Sequence, residues 1–138
     1  MKTISFLALM ILSGFAPVVA QHGGADHKHA SPHGGIVKSS GSYHLELIQK
    51  AGELTIYLLD KNEKPMSVTG ATATALLQTE SGQVTTLKLT PVGAQQLTAT
   101  LDKTKTFHKA VINVAFGGRS ASASFDLMAA DAHAAHKH

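Results

Sequence analysis

Seven of the nine histidines in this 138-residue chain stand in two clusters near its ends. His22, His27, His29 and His33 form one, and His133, His136 and His138 the other. Imidazole is a neutral nitrogen ligand near pH 7 and a cation in acid. Repeated histidines set among glycine and alanine are a composition that handles metal ions. His27 and His29 are separated by a single residue and can bring two imidazoles to one ion. His33 and His22 are close enough on a flexible chain to add a third and a fourth, and Asp26 offers an oxygen. Such donors suit copper(II), zinc and nickel, with copper(II) favoured at equal ligands. A cut after Ala20 would expose Gln21-His22, whose amine, deprotonated amide and imidazole chelate copper(II); cyclisation of Gln21 would abolish that chelate. His133, His136 and His138, with Asp131 nearby, form a second candidate metal-binding tail.

A third candidate lies in the body of the chain. His44 and Glu46 are two residues apart in an alternating segment, so on a strand they share a face, about 6.5–7 Å apart. His33 precedes this segment, and Gly34-Gly35 lets the backbone fold back. His33, His44 and Glu46 can therefore meet at one ion. Against this stands a plainer assignment, in which His44 is a half-exposed strand residue paired with Glu46 and the tails only solvate the protein. His108 is expected to be an ordinary surface histidine, and Met66 and Met128 to be filler rather than soft ligands. Catalysis has little support: Ser120, Ser122 and Ser124 alternate as the solvent face of a strand. There is no HExxH motif, no paired carboxylates and no glycine-rich loop opening a helix.

Composition narrows the setting. Lys2 followed by the apolar run Ile4 to Phe15 and the small-residue end Val18-Val19-Ala20 has the form of a secretory signal peptide over residues 1–20. The run is short for a bilayer span, so no stable membrane insertion is expected after cleavage. With no cysteine there is no lipid-anchor site, no disulfide and no thiolate metal site. Localisation is expected to be periplasmic or secreted. The formal charge of +3 is no nucleic-acid footprint. Protonating all nine histidines would carry it to +12, so acid should repel cations and discharge the tails.

The elements that must position these residues are strands. Residues 21–34 and 129–138 lack apolar periodicity and are expected to be disordered His-rich tails. Residues 35–128 alternate repeatedly. Tyr43 to Gln49 places Tyr43, Leu45 and Leu47 on one face and His44 and Glu46 on the other. Leu54 to Leu59 turns Leu54, Ile56 and Leu58 inward. Asp60 to Pro65 is a polar turn. Ala71 to Leu77, Thr85 to Thr90 (broken by Pro91-Val92-Gly93) and the Leu97, Ala99, Leu101 alternation follow. Ala110 to Phe116 then passes through a Gly117-Gly118 hairpin turn into Ala121 to Leu127, and Ile36-Val37 adds a short edge strand. Seven to eight short antiparallel strands with regular turns predict an all-β, Ig-like β-sandwich, with a small barrel as the main rival.

Pro32-His33-Gly34-Gly35, Tyr43-His44-Leu45-Glu46-Leu47, Leu54 to Asp60 and Lys64-Pro65 together resemble a small domain at or near the N-termini of periplasmic adaptor proteins of heavy-metal efflux systems. The domain also occurs as a stand-alone exported protein. The resemblance covers residues 32–66 closely and the later strands only in pattern. It implies metal association, with copper or zinc, through His33 and His44. The adaptors' coiled-coil hairpin and lipoyl-like segments are missing, so a pump-bridging role is not implied. The expected function is that of an exported, non-enzymatic metal-binding protein that buffers or delivers copper or zinc. Its expected partners are metal ions and a periplasmic efflux adaptor or other metal-handling protein. The alternative is an Ig-like structural or interaction module whose His-rich tails are incidental.

Overall fold

The computed structural model describes residues 29–128. The expected signal segment 1–20, His22 and His27, and the tail with His133, His136 and His138 lie outside the described residues. The described chain is all-β. Eight strands run as β1 (Ile36–Ser40), β2 (Tyr43–Lys50), β3 (Glu53–Leu59), β4 (Thr72–Thr79), β5 (Val84–Val92), β6 (Gln96–Thr100), β7 (Phe107–Phe116) and β8 (Arg119–Asp126). All pairings are antiparallel, in one continuous order β1-β2-β3-β6-β5-β4-β7-β8. The sheet nearly closes on itself: the Ser122 amide on β8 donates to the Ser40 hydroxyl on β1 at 2.7 Å, and Arg119 donates to the Tyr43 hydroxyl at 2.7 Å.

Alternation builds the core as expected. Leu45 and Leu47 of β2, Leu54, Ile56 and Leu58 of β3, Ala73, Ala75 and Leu77 of β4, Ile112 and Val114 of β7, and Phe125 of β8 are buried together. The alanines of β4 and β8 share this core with the large aliphatics of β2 and β3. The Gly117-Gly118 pair closes the β7–β8 hairpin with φ of 50° and 72°, the left-handed pair that a two-residue type I′ turn demands.

Two expectations about local structure need correction. Pro91 does not end β5, which continues to Val92. The strand changes partner there: Val84 to Leu89 pair with β4, and Thr90 to Val92 pair with β6. Proline lacks an N–H and is tolerated in a sheet where no ladder donor is needed; Pro91 falls just past the last β4 pair. Of the arm expected over 21–34, residues 21–28 lie outside the described residues. Residues 29–34 form a strap over the outer face of β1, β2 and β3, hydrogen-bonded to the buried Glu46 of β2 and to Glu63 in the loop after β3.

Candidate metal centre

The site is laid out by strand register. On the outer face of the first three strands, Val37, Glu46 and Tyr57 stand in one cross-strand row. Ser39, His44 and Leu59 stand in the next. Tyr57 and Leu59 are buried here together with Val37, in a small apolar cluster separate from the main core. β3 is thus apolar on both faces from Ile56 to Leu59, the pattern of a strand covered on both sides. The cover is the strap.

Glu46 holds the strap. It is the one fully buried charged side chain among the described residues, and such a group is tolerated only when its oxygens are saturated with donors. Oε1 accepts from the backbone amides of His33 and Gly35, each at 2.9 Å. The Ser31 hydroxyl lies 2.9 Å from the same oxygen and 2.8 Å from the Gly35 carbonyl, sharing its one proton between them. Oε2 meets His33 Nδ1 at 2.8 Å. Burial pushes the carboxyl up, but the hydrogen bonds from His33, Gly35 and Ser31 outweigh it and leave the group below its ordinary 4.5. Glu46 is therefore an anion that only accepts, and His33 Nδ1 carries the proton. The His33 ring stacks on Tyr57 with centroids 3.6 Å apart and planes 6° from parallel. Gly35 lies so close to β2 that a Cβ there would fall 2.5 Å from the Leu47 carbonyl oxygen.

With the strap docked, His29 arrives beside His44. Their ring centroids are 5.1 Å apart. His29 Nδ1 lies 2.6 Å from Glu63 Oε1, and Nε2 lies 3.4 Å from the Ser39 hydroxyl. The Ala30 amide donates to Glu63 Oε2 at 2.6 Å. His29, His44 and Glu63 each offer a ligand atom within 4.8 Å of the other two, and all three are partly exposed. This group could hold a metal ion. In a tetrahedral site with bonds of about 2.0–2.1 Å, ligand atoms stand about 3.3 Å apart, a small adjustment for side chains open to solvent.

The turn after β3 prepares two of these ligands at once. His44 Nδ1 lies 3.0 Å from the Asp60 carbonyl oxygen. A backbone carbonyl only accepts, so Nδ1 carries the proton and Nε2 holds the lone pair available to a metal. The Asp60 carboxylate accepts from the amides of Asn62 at 2.7 Å and Lys64 at 3.0 Å, closing the loop that carries Glu63. These amides, that of Lys64 foremost, with the neighbouring lysines, hold the Asp60 carboxyl below its usual value. Glu63 is itself in the left-handed region at φ 61°, a conformation uncommon for a side chain other than glycine or asparagine. The other such residue is Ala51, at φ 51° in the two-residue β2–β3 hairpin. The hydrogen bond from His29, followed by the Ala30 amide and the nearby His29 and His44, lowers the Glu63 carboxyl. It is therefore available as an anionic ligand.

Of the residues expected to meet at His33, His44 and Glu46, His33 and Glu46 do meet, but as donor and acceptor. His44 instead groups with His29 and Glu63. Glu63 escaped the reading of the sequence, which recognised only a polar turn over Asp60 to Pro65. Its one distinguishing sign is backbone conformation, invisible in composition. His108 lies apart from this group, 3.8 Å from the Glu80 carboxylate, and Met66 packs against the core. No family model, curated protein or solved structure matches this chain.

Proposed function

We propose that the protein is an exported, non-enzymatic metal-binding protein that buffers or delivers copper or zinc alongside a heavy-metal efflux system. The observation that carries this reading is the convergence of His29, His44 and Glu63 from three separate segments. Two imidazoles and a carboxylate form a donor set for borderline cations, zinc and copper(II), rather than for calcium or magnesium. Three protein ligands leave a coordination position for water or for an acceptor's ligand, and partial exposure favours exchange. Both properties suit handover better than permanent storage. The His-rich segments on either side would raise the local concentration of metal near this site. The signal-like residues 1–20 support a periplasmic or secreted location for such a protein.

The body is read as an Ig-like sandwich. Setting β1 aside, the order β2-β3-β6-β5 followed by β4-β7-β8 parallels the ABED and CFG sheets of a constant-type Ig domain, with β5 as the strand shared at the corner.

Titration calorimetry with zinc and copper(II) tests the function. We expect micromolar or tighter binding by the mature chain. One equivalent should survive alanine replacement of His22, His27, His133, His136 and His138. That equivalent should vanish in the double variant His44→Ala/Glu63→Gln. Binding weaker than about 1 mM in every form, a standard free energy of only about −4 kcal/mol, would sink the metal-handling role and leave an interaction module.

A further inference from the structure

We propose that Glu46 is a positioning residue for the metal centre: by latching residues 29–35 onto the sheet it delivers His29, so strap docking and metal binding are one coupled equilibrium. This rests on the reading of His29, His44 and Glu63 as a metal site.

Two of the three ligands belong to the body. His44 is fixed on β2, and Glu63 sits in a loop closed by Asp60. His29 alone comes from the segment that precedes β1. Its path to the site runs through Ser31, His33 and Gly35, and each of these is held by the same carboxylate. Beyond that anchorage, residues 29 and 30 touch the body through Glu63, itself a candidate ligand, and through Ser39. A metal ion bridging His29 to His44 and Glu63 would tie down the strap at His29, as Glu46 ties it down at Ser31, His33 and Gly35. Each fastening restricts the same segment, so each lowers the ordering cost of the other. Linkage makes the effect reciprocal: the factor by which the latch tightens metal binding is the factor by which metal tightens the latch. Glu46 touches no metal in this scheme; both its oxygens are occupied by strap donors. The same arrangement supplies a release route, because anything that lifts the strap removes one ligand of three and returns the ion to a weaker two-ligand site.

The test uses the full mature chain with His22, His27, His133, His136 and His138 replaced by alanine, zinc as the probe, and two readouts. Glu46→Leu removes the latch. Gly35→Ala displaces the strap through its clash with the Leu47 carbonyl and keeps every ligand, so it serves if Glu46→Leu does not fold. Each is expected to weaken zinc binding by about 10- to 100-fold, the usual effect of losing an orienting partner. Zinc should also slow amide exchange at Ala30, His33 and Gly35 in the parent chain but leave the β7–β8 hairpin unchanged. A role confined to stability would not produce zinc-dependent protection restricted to the strap. The latch is overturned if a folded variant binds zinc within twofold of the parent, or if zinc leaves those three amides unprotected. If His44→Ala binds zinc as tightly as the parent, the metal-site reading itself falls, and the latch proposal with it.

Discussion

The two outer faces of this molecule follow the same alternation and carry opposite contents. Beneath the strap, β1, β2 and β3 present Val37, Glu46, Tyr57, His44 and Leu59, mostly buried. On β4, β7 and β8 the corresponding face carries Thr72, Asn113, Ala115, Ser120, Ser122 and Ser124 beside Leu76, Val111, Lys109 and Asp126, none of them buried. Ser122 donates to Asn113 across the strands at 2.7 Å, a solvated contact on a bare face. The core faces of both halves are equally apolar, so fold stability alone does not require an aromatic, an anion and an imidazole on one outer face. Large and ionisable side chains are buried on an outer face where residues 29–35 cover the sheet. The strap, rather than the sheet, sets the two sides apart: it covers one outer face and brings His29 beside His44 and Glu63.

Truncation should expose that difference most strongly. Glu46→Ala strands the donors of Ser31, His33 and Gly35 and opens space beneath the strap, with an expected loss of about 3 kcal/mol in urea unfolding. Asn113→Ala, its counterpart on the bare face, should stay within about 0.5 kcal/mol. Equal losses on the two faces would remove the distinction between them.

Zinc should separate the faces next. An ion held only by the native fold, at a hundred times its dissociation constant, stabilises by about 2.7 kcal/mol. The melting temperature should therefore rise in the parent chain and in the variant lacking the five terminal histidines outside the described residues. His44→Ala should abolish the rise. If the parent chain binds zinc in calorimetry yet shows no rise, the ions are held by the termini without regard to the fold and the strap face has no special claim on them.

Acid gives a smaller, metal-free contrast, to be measured with a chelator present. The Glu46 carboxyl lies below its ordinary 4.5 in the folded protein, so the folded state binds fewer protons than the unfolded chain in that range. Its contribution is present above the unfolded value near 4.5 and is lost as pH falls through the lower folded value. The urea midpoint should drop across that window in the parent and drop less in Glu46→Gln. Identical pH profiles would show that the buried carboxylate is not what couples the strap to pH.

How much of this was legible in the sequence depended on whether a signal was local. Period-two alternation located the strands, because buried and exposed positions along Tyr43 to Lys50 or Ala110 to Phe116 are decided within each segment. The partner switch at Pro91 was not legible, since a proline reads as a stop unless its neighbours on both sides are known. The strap was misread for a similar reason. Residues 29–35 have no apolar period of their own, and they are held by a carboxylate 11 to 15 positions away from its partners Gly35, His33 and Ser31. Yet the clue was present in Ile56-Tyr57-Leu58-Leu59, an unbroken apolar run that requires cover on both faces. His29 and His44 were recognised as donors from residue type. Their assembly with Glu63 depended on a turn geometry that residue type does not encode.

That turn supports the smallest expected effect and one with an unusual sign. Glu63 occupies a left-handed backbone conformation that asparagine adopts more readily, because its short amide bonds locally to the backbone. If Glu63 were chosen for the turn, Glu63→Asn would be neutral in every assay. If it is there as a ligand, the protein accepts backbone strain to place a carboxylate opposite His29, a pattern found at functional sites. The variant should then melt at or slightly above the parent temperature without metal, yet bind zinc more weakly in calorimetry. Tolerated backbone strain and lost affinity would thus appear in one substitution, on the covered side only. A matching exchange on the bare side, Ser122→Asn, should alter neither quantity measurably. Glu63→Asn binding zinc like the parent would return Glu63 to the status of an ordinary turn residue and leave the two imidazoles to hold the ion alone.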